Sequence, residues 1–340
     1  MELERNTAPQ YFELIQRIGQ LLEQGRRAAA QSVNSIMVQT YWEIGRHIVE
    51  FEQQGNIKSE YGSDVFVSLS RDLTETYGKG FGRSNLVYIR KLYLLYPISG
   101  TLSHQLGWSQ YYELLKIDDP LEPSFYEKQC ALERWSVREL KRQKEAMLFH
   151  RLALSRDKEG ILELAKSGQI LEKPEDLLRD TYVLEFLSIP EPYHVAESDL
   201  EERLIGQLQQ FLLELGKGFA FIGRQYRITL GNRHHYVDLV FYHRILKCFV
   251  LIDLKSNEAG HADVGQMNMY LAYFEEEENT EGDNLPIGIV LAREKDEVVV
   301  RYALKNISSK LFIGKYQLYL PNREELQQKL EEILSKNQAS

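Results

Sequence analysis

The stretch Phe249-Val250-Leu251-Ile252-Asp253-Leu254-Lys255 decides the fold of the C-terminal half of the chain. A short apolar run of this kind is typical of a buried strand. Side chains alternate along a strand, so Asp253 and Lys255 share one face. Because burying a lone carboxylate or ammonium group is costly, the two charges predict an ion pair, a metal site or both.

A second carboxylate interrupts the preceding predicted strand, Val237-Asp238-Leu239-Val240-Phe241. A short turn near Arg244-Ile245-Leu246 would fold the two strands together and bring Asp238 and Asp253 to one end of a sheet. Two carboxylates suit a hard divalent cation such as Mg²⁺. Such a cation polarises a scissile phosphate and activates water, while a lysine stabilises the developing charge. A structural salt bridge is the alternative interpretation of Lys255.

Two flanking predicted helices supply further candidates. Gln266 and Tyr270 lie one helical turn apart on a shared face, where they could contact the phosphate or the lysine. Glu201 falls on the apolar face of the helix that precedes the sheet, whereas Glu202 points away from it. Glu201 is therefore a candidate third metal ligand. Each candidate also has a purely structural interpretation: Gln266 as a surface residue, Tyr270 as a core aromatic residue, and Glu201 as a residue exposed at the start of its helix.

The order of elements after residue 196 predicts an α/β domain with a mixed sheet. Strand-like alternation and helical periodicity follow one another along this region. The predicted elements are a helix at Asp199–Leu215 with Gly216 as its C-cap, strands at Phe219–Leu230, His235–His243 and Lys247–Leu254, a helix at His261–Glu275, strands at Pro286–Ala292 and Tyr316–Leu320, and a helix from Asn322.

Residues from about 10 to 185 are predicted to be helical, with helices at Tyr11–Gln31 and Val38–Phe51. The prolines in Ile189-Pro190-Glu191-Pro192 interrupt any helix. We therefore expect an all-α domain at residues 8–188 and the α/β domain at residues 196–340.

A helix–turn–helix pattern lies within the helical half. Leu69–Tyr77 is predicted to form one helix, residues 78–82 a glycine turn, and Ser84 the N-cap of a second helix. The candidate phosphate contacts on and before the second helix are Arg83, Arg90 and Lys91. An ordinary helical hairpin with solvated charges is the alternative.

Composition favours a folded, soluble protein with two domains. The chain has 340 residues, 43% of them apolar and 27% charged, and only two cysteines. No apolar run has the roughly 20 residues of a membrane helix. The N-terminus lacks the apolar stretch of a secretion signal. We expect a cytoplasmic protein without a membrane partner.

Local charge favours a nucleic-acid contact in the sheet, although the net charge is −9. Between Gly216 and Lys255 there are seven basic residues and two acidic ones, and Arg224 and Arg227 are among the basic residues. Scattered charges on a sheet surface are the alternative. Because a large negative net charge opposes indiscriminate coating of nucleic acid, a local site is the more specific expectation.

These motifs together closely resemble the YhcG family of the PD-(D/E)XK nuclease superfamily, including its N-terminal helical domain. The similar segments are residues 42–45, 60–62, 78–81, 211–221, 236–243, 252–255 and 265–271.

The resemblance implies a restriction-endonuclease-like fold, a site dependent on Mg²⁺ or alternatively Mn²⁺, and a DNA substrate. It implies that Asp238 is the first aspartate of the motif, Asp253 the second acid and Lys255 the lysine. Gln266 and Tyr270 match the Q-x-x-x-Y helix of related nucleases. The chain departs from the motif at Val237, which replaces the proline, and at Asp253, which replaces the commoner glutamate.

The sequence therefore predicts a metal-dependent DNA endonuclease. The alternative is a non-catalytic module that binds nucleic acid or assembles a complex on a nuclease fold. Other nucleic-acid-processing proteins are expected partners, and a homodimer would let one site per chain cut both strands. The sequence leaves open RNA as substrate, the preferred nucleic-acid structure and the biological pathway.

Overall fold

The computed structural model of the protein describes residues 9–53, 62–154, 156–177, 179, 181–189, 196–295 and 310–335. The chain forms two compact units, Met1–Leu140 and Lys141–Ser340. This division precedes the expected one between residues 188 and 196. The proline-rich segment 190–195 that motivated that expectation lies outside the described residues.

The first unit is helical. Its described helices are α1 (Pro9–Phe51), α2 (Gly62–Tyr77), α3 (Arg83–Leu95), α4 (Trp108–Leu114) and α5 (Glu122–Glu133), and α6 (Val137–Glu145) crosses the division. The two helices expected before residue 51 form the single helix α1, because no breaker lies between them. Gly45 lets α1 approach α3 closely, since a Cβ there would overlap the carbonyl oxygen of Ile89.

The glycine turn between α2 and α3 is present where the pattern predicts it. Gly78 and Gly80 have φ values of +85° and +121°, conformations that glycine adopts without strain. The predicted N-cap was wrong: the cap of α3 is Gly82, with no side-chain hydrogen bond, and Ser84 lies inside the helix. Backbone geometry at the glycine, rather than a serine hydroxyl, starts this helix.

The second unit contains a mixed sheet between two layers of helices. Its strands are β1 (Thr181–Val183), β2 (Phe219–Leu230), β3 (Arg233–His243), β4 (Cys248–Ala259), β5 (Ile287–Lys295) and β6 (Lys310–Gln317). Besides the second part of α6, its described helices are α7 (Leu148–Ala153), α8 (Lys158–Ser167), α9 (Glu197–Gly206), α10 (Leu208–Leu215), α11 (His261–Tyr273) and α12 (Arg323–Ser335).

The described strands are ordered β1-β6-β5-β4-β3-β2. Strands β1, β6, β5 and β4 run parallel, and β3 and β2 add as an antiparallel hairpin. The mixed α/β sheet expected from the sequence is thus confirmed.

Several element boundaries differ from expectation. Strand β1 lies in a region expected to be helical, because its three residues add to the edge of a sheet formed by distant segments. The helix expected at Asp199–Leu215 breaks at Gln207, whose φ and ψ are −120° and 32°. Helix α11 ends at Tyr273 and continues as a π-helical turn at Phe274–Glu278. The last strand begins at Lys310, earlier than expected.

Apolar side chains cover both faces of the sheet. On one face, helix residues such as Leu204 of α9 and Phe211 of α10 pack with sheet residues such as Ile252. On the other face, Met267 of α11 and its neighbours pack with sheet residues such as Val290. The burial of residues 248–254 of β4 explains their continuous apolar run, since both faces of this part of the strand are covered.

A buried charge cluster joins residues 141–188 to the rest of this unit. Arg151 Nη1 and Arg179 Nη1 form ion pairs with the Glu214 carboxylate at 2.5 and 3.4 Å. Arg142 Nη1 lies 3.3 Å away, and the Val183 amide donates at 3.0 Å. These contacts and the β1–β6 pairing explain why the division into units precedes residue 188.

The sheet opens where its carboxylates lie. Pairing between β3 and β4 ends at Leu239 and Ile252, which are the neighbours of Asp238 and Asp253. Beyond that point β2 and β3 continue as a two-stranded hairpin as far as Arg233. The fork leaves space for polar side chains between the two strands.

Among the described helices, none combines the length and apolar character needed to cross a membrane.

Candidate active site

Asp253 and Lys255 form an ion pair within β4, just past the point where its pairing with β3 ends. Lys255 Nζ lies 2.9 Å from Asp253 Oδ2, and the aspartate is only 2% exposed. Burial raises the pKa of the Asp253 carboxyl, and the charge of Asp238 raises it further. Burial lowers the pKa of Lys255, but the hydrogen bond and charge of Asp253 outweigh this effect and raise it.

Asp238 lies inside the fork between β3 and β4. Its Oδ2 accepts a hydrogen bond of 2.8 Å from the backbone amide of Leu254. Its Oδ1 accepts one of 3.0 Å from Nε2 of Gln225. The amide beside Asp253 thus holds Asp238 close to Asp253, and the structure brings the two predicted carboxylates together.

Glu201 joins the same group from α9. It is buried, as its place on the apolar face predicts, while Glu202 is exposed. Its Oε2 accepts a 2.5 Å hydrogen bond from Nε2 of Gln225. The pKa of Glu201 is raised overall. Burial is the largest cause and the charge of Asp238 adds to it, while the Gln225 hydrogen bond and the charge of Arg224 lower the pKa by less.

Gln266 and Tyr270 contact each other on α11. Gln266 Nε2 donates to the Tyr270 hydroxyl at 2.5 Å, and that hydroxyl donates to the backbone oxygen of Tyr236 at 3.1 Å. Tyr236 lies two residues before Asp238. These hydrogen bonds lead to β3 rather than to Lys255, so the pair anchors β3 next to the carboxylate.

Two acids missed by the sequence argument complete the surroundings of Lys255. Glu197 Oε2 and Asp263 Oδ1 lie 3.7 and 3.8 Å from Nζ. Glu197 also accepts from the Ser256 amide, and Asp263 caps α11 through the amide of Gly260. The acid at the third position of a helix after glycine was a readable capping signal. Glu197 had no comparable signal.

The most informative residue missed by the sequence argument is Gln225. It bridges Glu201 and Asp238 from β2 with one amide nitrogen. Its φ of +46° is uncommon for a residue other than glycine. A single glutamine in a predicted strand does not indicate a site, and its positive φ cannot be predicted from the sequence.

The charges and oxygen atoms present fit a hard divalent cation. Asp238, Asp253 and Glu201 supply carboxylate oxygens, the ligands that Mg²⁺ prefers. Burial and, after it, the like charge of Asp238 raise the pKa of Asp253, and a bound cation would offset both effects. In the described part of the chain, no three His, Cys, Asp or Glu side chains are already arranged around a metal position. The carboxylates instead bind Gln225, Lys255 and the backbone.

The basic residues predicted to bind nucleic acid lie in both units. Arg224 and Arg227 are exposed on β2; Arg224 is paired with Leu239 at the fork, and Arg227 with Tyr236 on the hairpin beyond it. In the helical unit Arg83 is exposed at the start of α3. Arg90 Nε and Lys91 Nζ are instead 2.6 and 3.2 Å from the carboxylates of Glu52 and Asp118. These ion pairs compete with any phosphate contact by Arg90 and Lys91.

Two solved structures resemble part of the chain. A repair endonuclease from Pyrococcus abyssi is 23% identical with a TM-score of 0.28, over 39% of this chain and 50% of its own. A structure described as an EndoMS–dsDNA2 complex is 19% identical with a TM-score of 0.27, over 40% of this chain and 51% of its own. The matches span about half of those chains.

Comparison with protein families covers both halves of the chain. The family model described as DUF1016 N-terminal domain matches residues 17–151, and the one described as YhcG PDDEXK nuclease domain matches residues 175–331. YhcG of Escherichia coli (strain K12) is 36% identical over 360 aligned residues, which cover 96% of each chain. This chain belongs to the YhcG family, with an N-terminal helical region and a PD-(D/E)XK nuclease domain.

Proposed function

We propose that the protein is a divalent-metal-dependent DNA endonuclease and that its active site is the fork between β3 and β4. The observation that carries the proposal is the buried Asp253–Lys255 pair with Asp238 beside it. A salt bridge needed only for stability would not require a second carboxylate held against it by a backbone amide. Burying like charges side by side is costly, and such arrangements are concentrated at functional sites.

In this proposal Asp238, Asp253 and Glu201 hold Mg²⁺, with Mn²⁺ as an alternative. When bound, the cation polarises the phosphate and lowers the pKa of water. Lys255, once released from Asp253, stabilises the charge on the phosphate and orients the attacking water. Gln266 and Tyr270 act by positioning β3, because the Tyr270 hydroxyl contacts its backbone.

The basic hairpin supports DNA as the substrate. Arg224 is exposed at the fork, and Arg227 is exposed on the two-stranded extension beyond it. Guanidinium groups there suit phosphates on either side of the scissile bond. Arg83 of the helical unit is a further proposed contact, to DNA or to another nucleic-acid-processing protein. A homodimer would place two such sites on one duplex.

A cleavage panel tests the proposal. The purified full chain is incubated with duplex, branched and single-stranded DNA and with RNA, in Mg²⁺, in Mn²⁺ and in chelator. We expect the protein to cleave at least one form of DNA and to need the cation for this cleavage. RNA should remain intact. Cleavage of RNA alone would overturn the DNA assignment. Binding of DNA without cleavage under every condition would favour the non-catalytic module instead.

A further inference from the structure

Gln225 adopts a backbone conformation that is uncommon inside a strand. Among described residues, the other non-glycine residues with positive φ lie at helix ends or in turns: Arg134, Met147, Ser188 and Lys247. Gln225 alone among them lies inside a strand, β2. A non-glycine residue in this region costs on the order of 1 kcal/mol or more, and such residues cluster at functional sites.

The unusual backbone coincides with an unusual side-chain role. Nε2 of Gln225 lies 2.5 Å from Glu201 Oε2 and 3.0 Å from Asp238 Oδ1. A primary amide nitrogen carries two hydrogens, so one nitrogen can satisfy both carboxylates. The amide therefore lies between two of the three proposed metal ligands, where its N–H groups partly neutralise their charges.

A cation bound by Glu201 and Asp238 needs the same region. The N–H groups of Gln225 would then face a positive charge, which is unfavourable. The terminal torsion of a glutamine is broad, so the amide can turn over without moving its backbone. Turning over exchanges Nε2 for Oε1, and an amide oxygen is an accepted ligand of hard divalent cations.

We propose that Gln225 is a further metal ligand of this site, which holds Glu201 and Asp238 through Nε2 without metal and turns Oε1 to the cation when metal binds. The inference rests on the proposed function, because it assumes that these carboxylates bind a divalent cation.

Mn²⁺ affinity measured by calorimetry on the full chain, without DNA, tests the inference. Gln225→Leu keeps the side-chain length but removes both polar atoms, and we expect an affinity loss of about 10- to 100-fold, the range for lost metal-site partners. Gln225→Glu supplies an oxygen with a charge and is expected to bind Mn²⁺ at least as tightly as the parent. The matched control is Gln328→Leu, because Gln328 is exposed on α12.

The sign of the effect separates the explanations. If Gln225 only occupies the site, Gln225→Leu removes a competitor and Mn²⁺ affinity rises, which would overturn the inference. Unchanged affinity in Gln225→Leu would overturn it as well.

A second variant separates folding from metal binding. Gln225→Gly relieves the positive φ while removing the side chain. We expect its thermal stability in chelator to match or exceed that of the parent, while its Mn²⁺ affinity falls as in Gln225→Leu. Normal affinity in this variant would contradict a ligand role.

The result for the parent protein distinguishes this inference from the proposed function. If the parent binds no Mn²⁺, the metal-dependent function fails together with the inference. If the parent binds Mn²⁺ and Asp238→Asn abolishes binding while Gln225→Leu does not weaken it, the metal site stands and only the role of Gln225 is refuted.

Discussion

Lys255 Nζ lies 2.9 Å from Oδ2 of Asp253, and the two residues occupy one face of β4, after a run of apolar side chains. In the proposed function the pair supplies an acid and a cation that hold each other before substrate and metal bind. Desolvating both charges is costly, which supports a catalytic rather than a stabilising role in that proposal.

Lys255→Met is expected to lower the DNA cleavage rate by about 10²- to 10³-fold, the effect of removing one electrostatic stabiliser from an active site. DNA affinity should change little, because the basic hairpin is intact. Single-turnover cleavage and a filter-binding assay measure the two effects. Lys247→Met makes the same exchange at an exposed turn residue; equal losses in both variants would contradict the assigned role.

Asp253→Asn should change the pH dependence of stability in chelator. Burial raises the folded-state pKa of Asp253, so the folded state retains the proton to higher pH than the unfolded state. Between the ordinary aspartate pKa and this raised pKa, the free energy of unfolding therefore falls by about 1.4 kcal/mol for each pH unit. Asparagine cannot ionise and removes this loss.

Urea unfolding of both proteins at pH 5 and pH 8 measures the change. The stability of Asp253→Asn relative to the parent should increase between the two pH values. Parallel pH curves would show that Asp253 titrates as an ordinary carboxyl group.

Glu214→Gln should destabilise the nuclease domain by about 3 to 5 kcal/mol, because it leaves buried guanidinium groups without their carboxylate. Burial alone would raise the pKa of Glu214, but Arg151, Arg179 and Arg142 lower it to about 2. Its contribution is present above about pH 4.5 and lost as pH falls toward 2. Urea unfolding at pH 7 checks the magnitude.

The exposed Glu202 offers a matched control on α9. Glu202→Gln should leave the urea midpoint nearly unchanged. A similar shift in both variants would mean that the buried cluster has no special role.

Arg224→Ala and Arg227→Ala should each weaken DNA binding and reduce the dependence of log affinity on log salt concentration by about 1, because each removes one phosphate contact. Titrations from low to high salt measure the slope. Arg244→Ala is the control, since Arg244 is exposed at the turn on the opposite end of β3. Loss of affinity in the control alone would place the DNA elsewhere.

Much of the sheet could be predicted from the sequence because its signals are local. The limits predicted for β2, Phe219–Leu230, are those observed, and Asp253 and Lys255 share a face as alternation requires. Glu201 lies on the buried face of α9 for the same reason of periodicity. These features depend on neighbouring residues, so a single sequence contains them.

The remaining features depend on distant contacts. Strand β1 has three residues and exists because β6 pairs with it. Gln225 enters the site through a backbone conformation that no residue pattern predicts. The tertiary fold determines each of these features, and local propensity does not reveal them.

Cleavage by Asp253→Asn tests the central claim most directly. The parent protein and the variant are compared for nicking of supercoiled DNA in Mg²⁺ and Mn²⁺, and for DNA binding in chelator. The account predicts that the variant loses nicking with both cations while its DNA affinity stays within about threefold of the parent, a difference of less than about 1 kcal/mol. Nicking by the variant at the parental rate would contradict the assignment of Asp253 and of the fork as the active site.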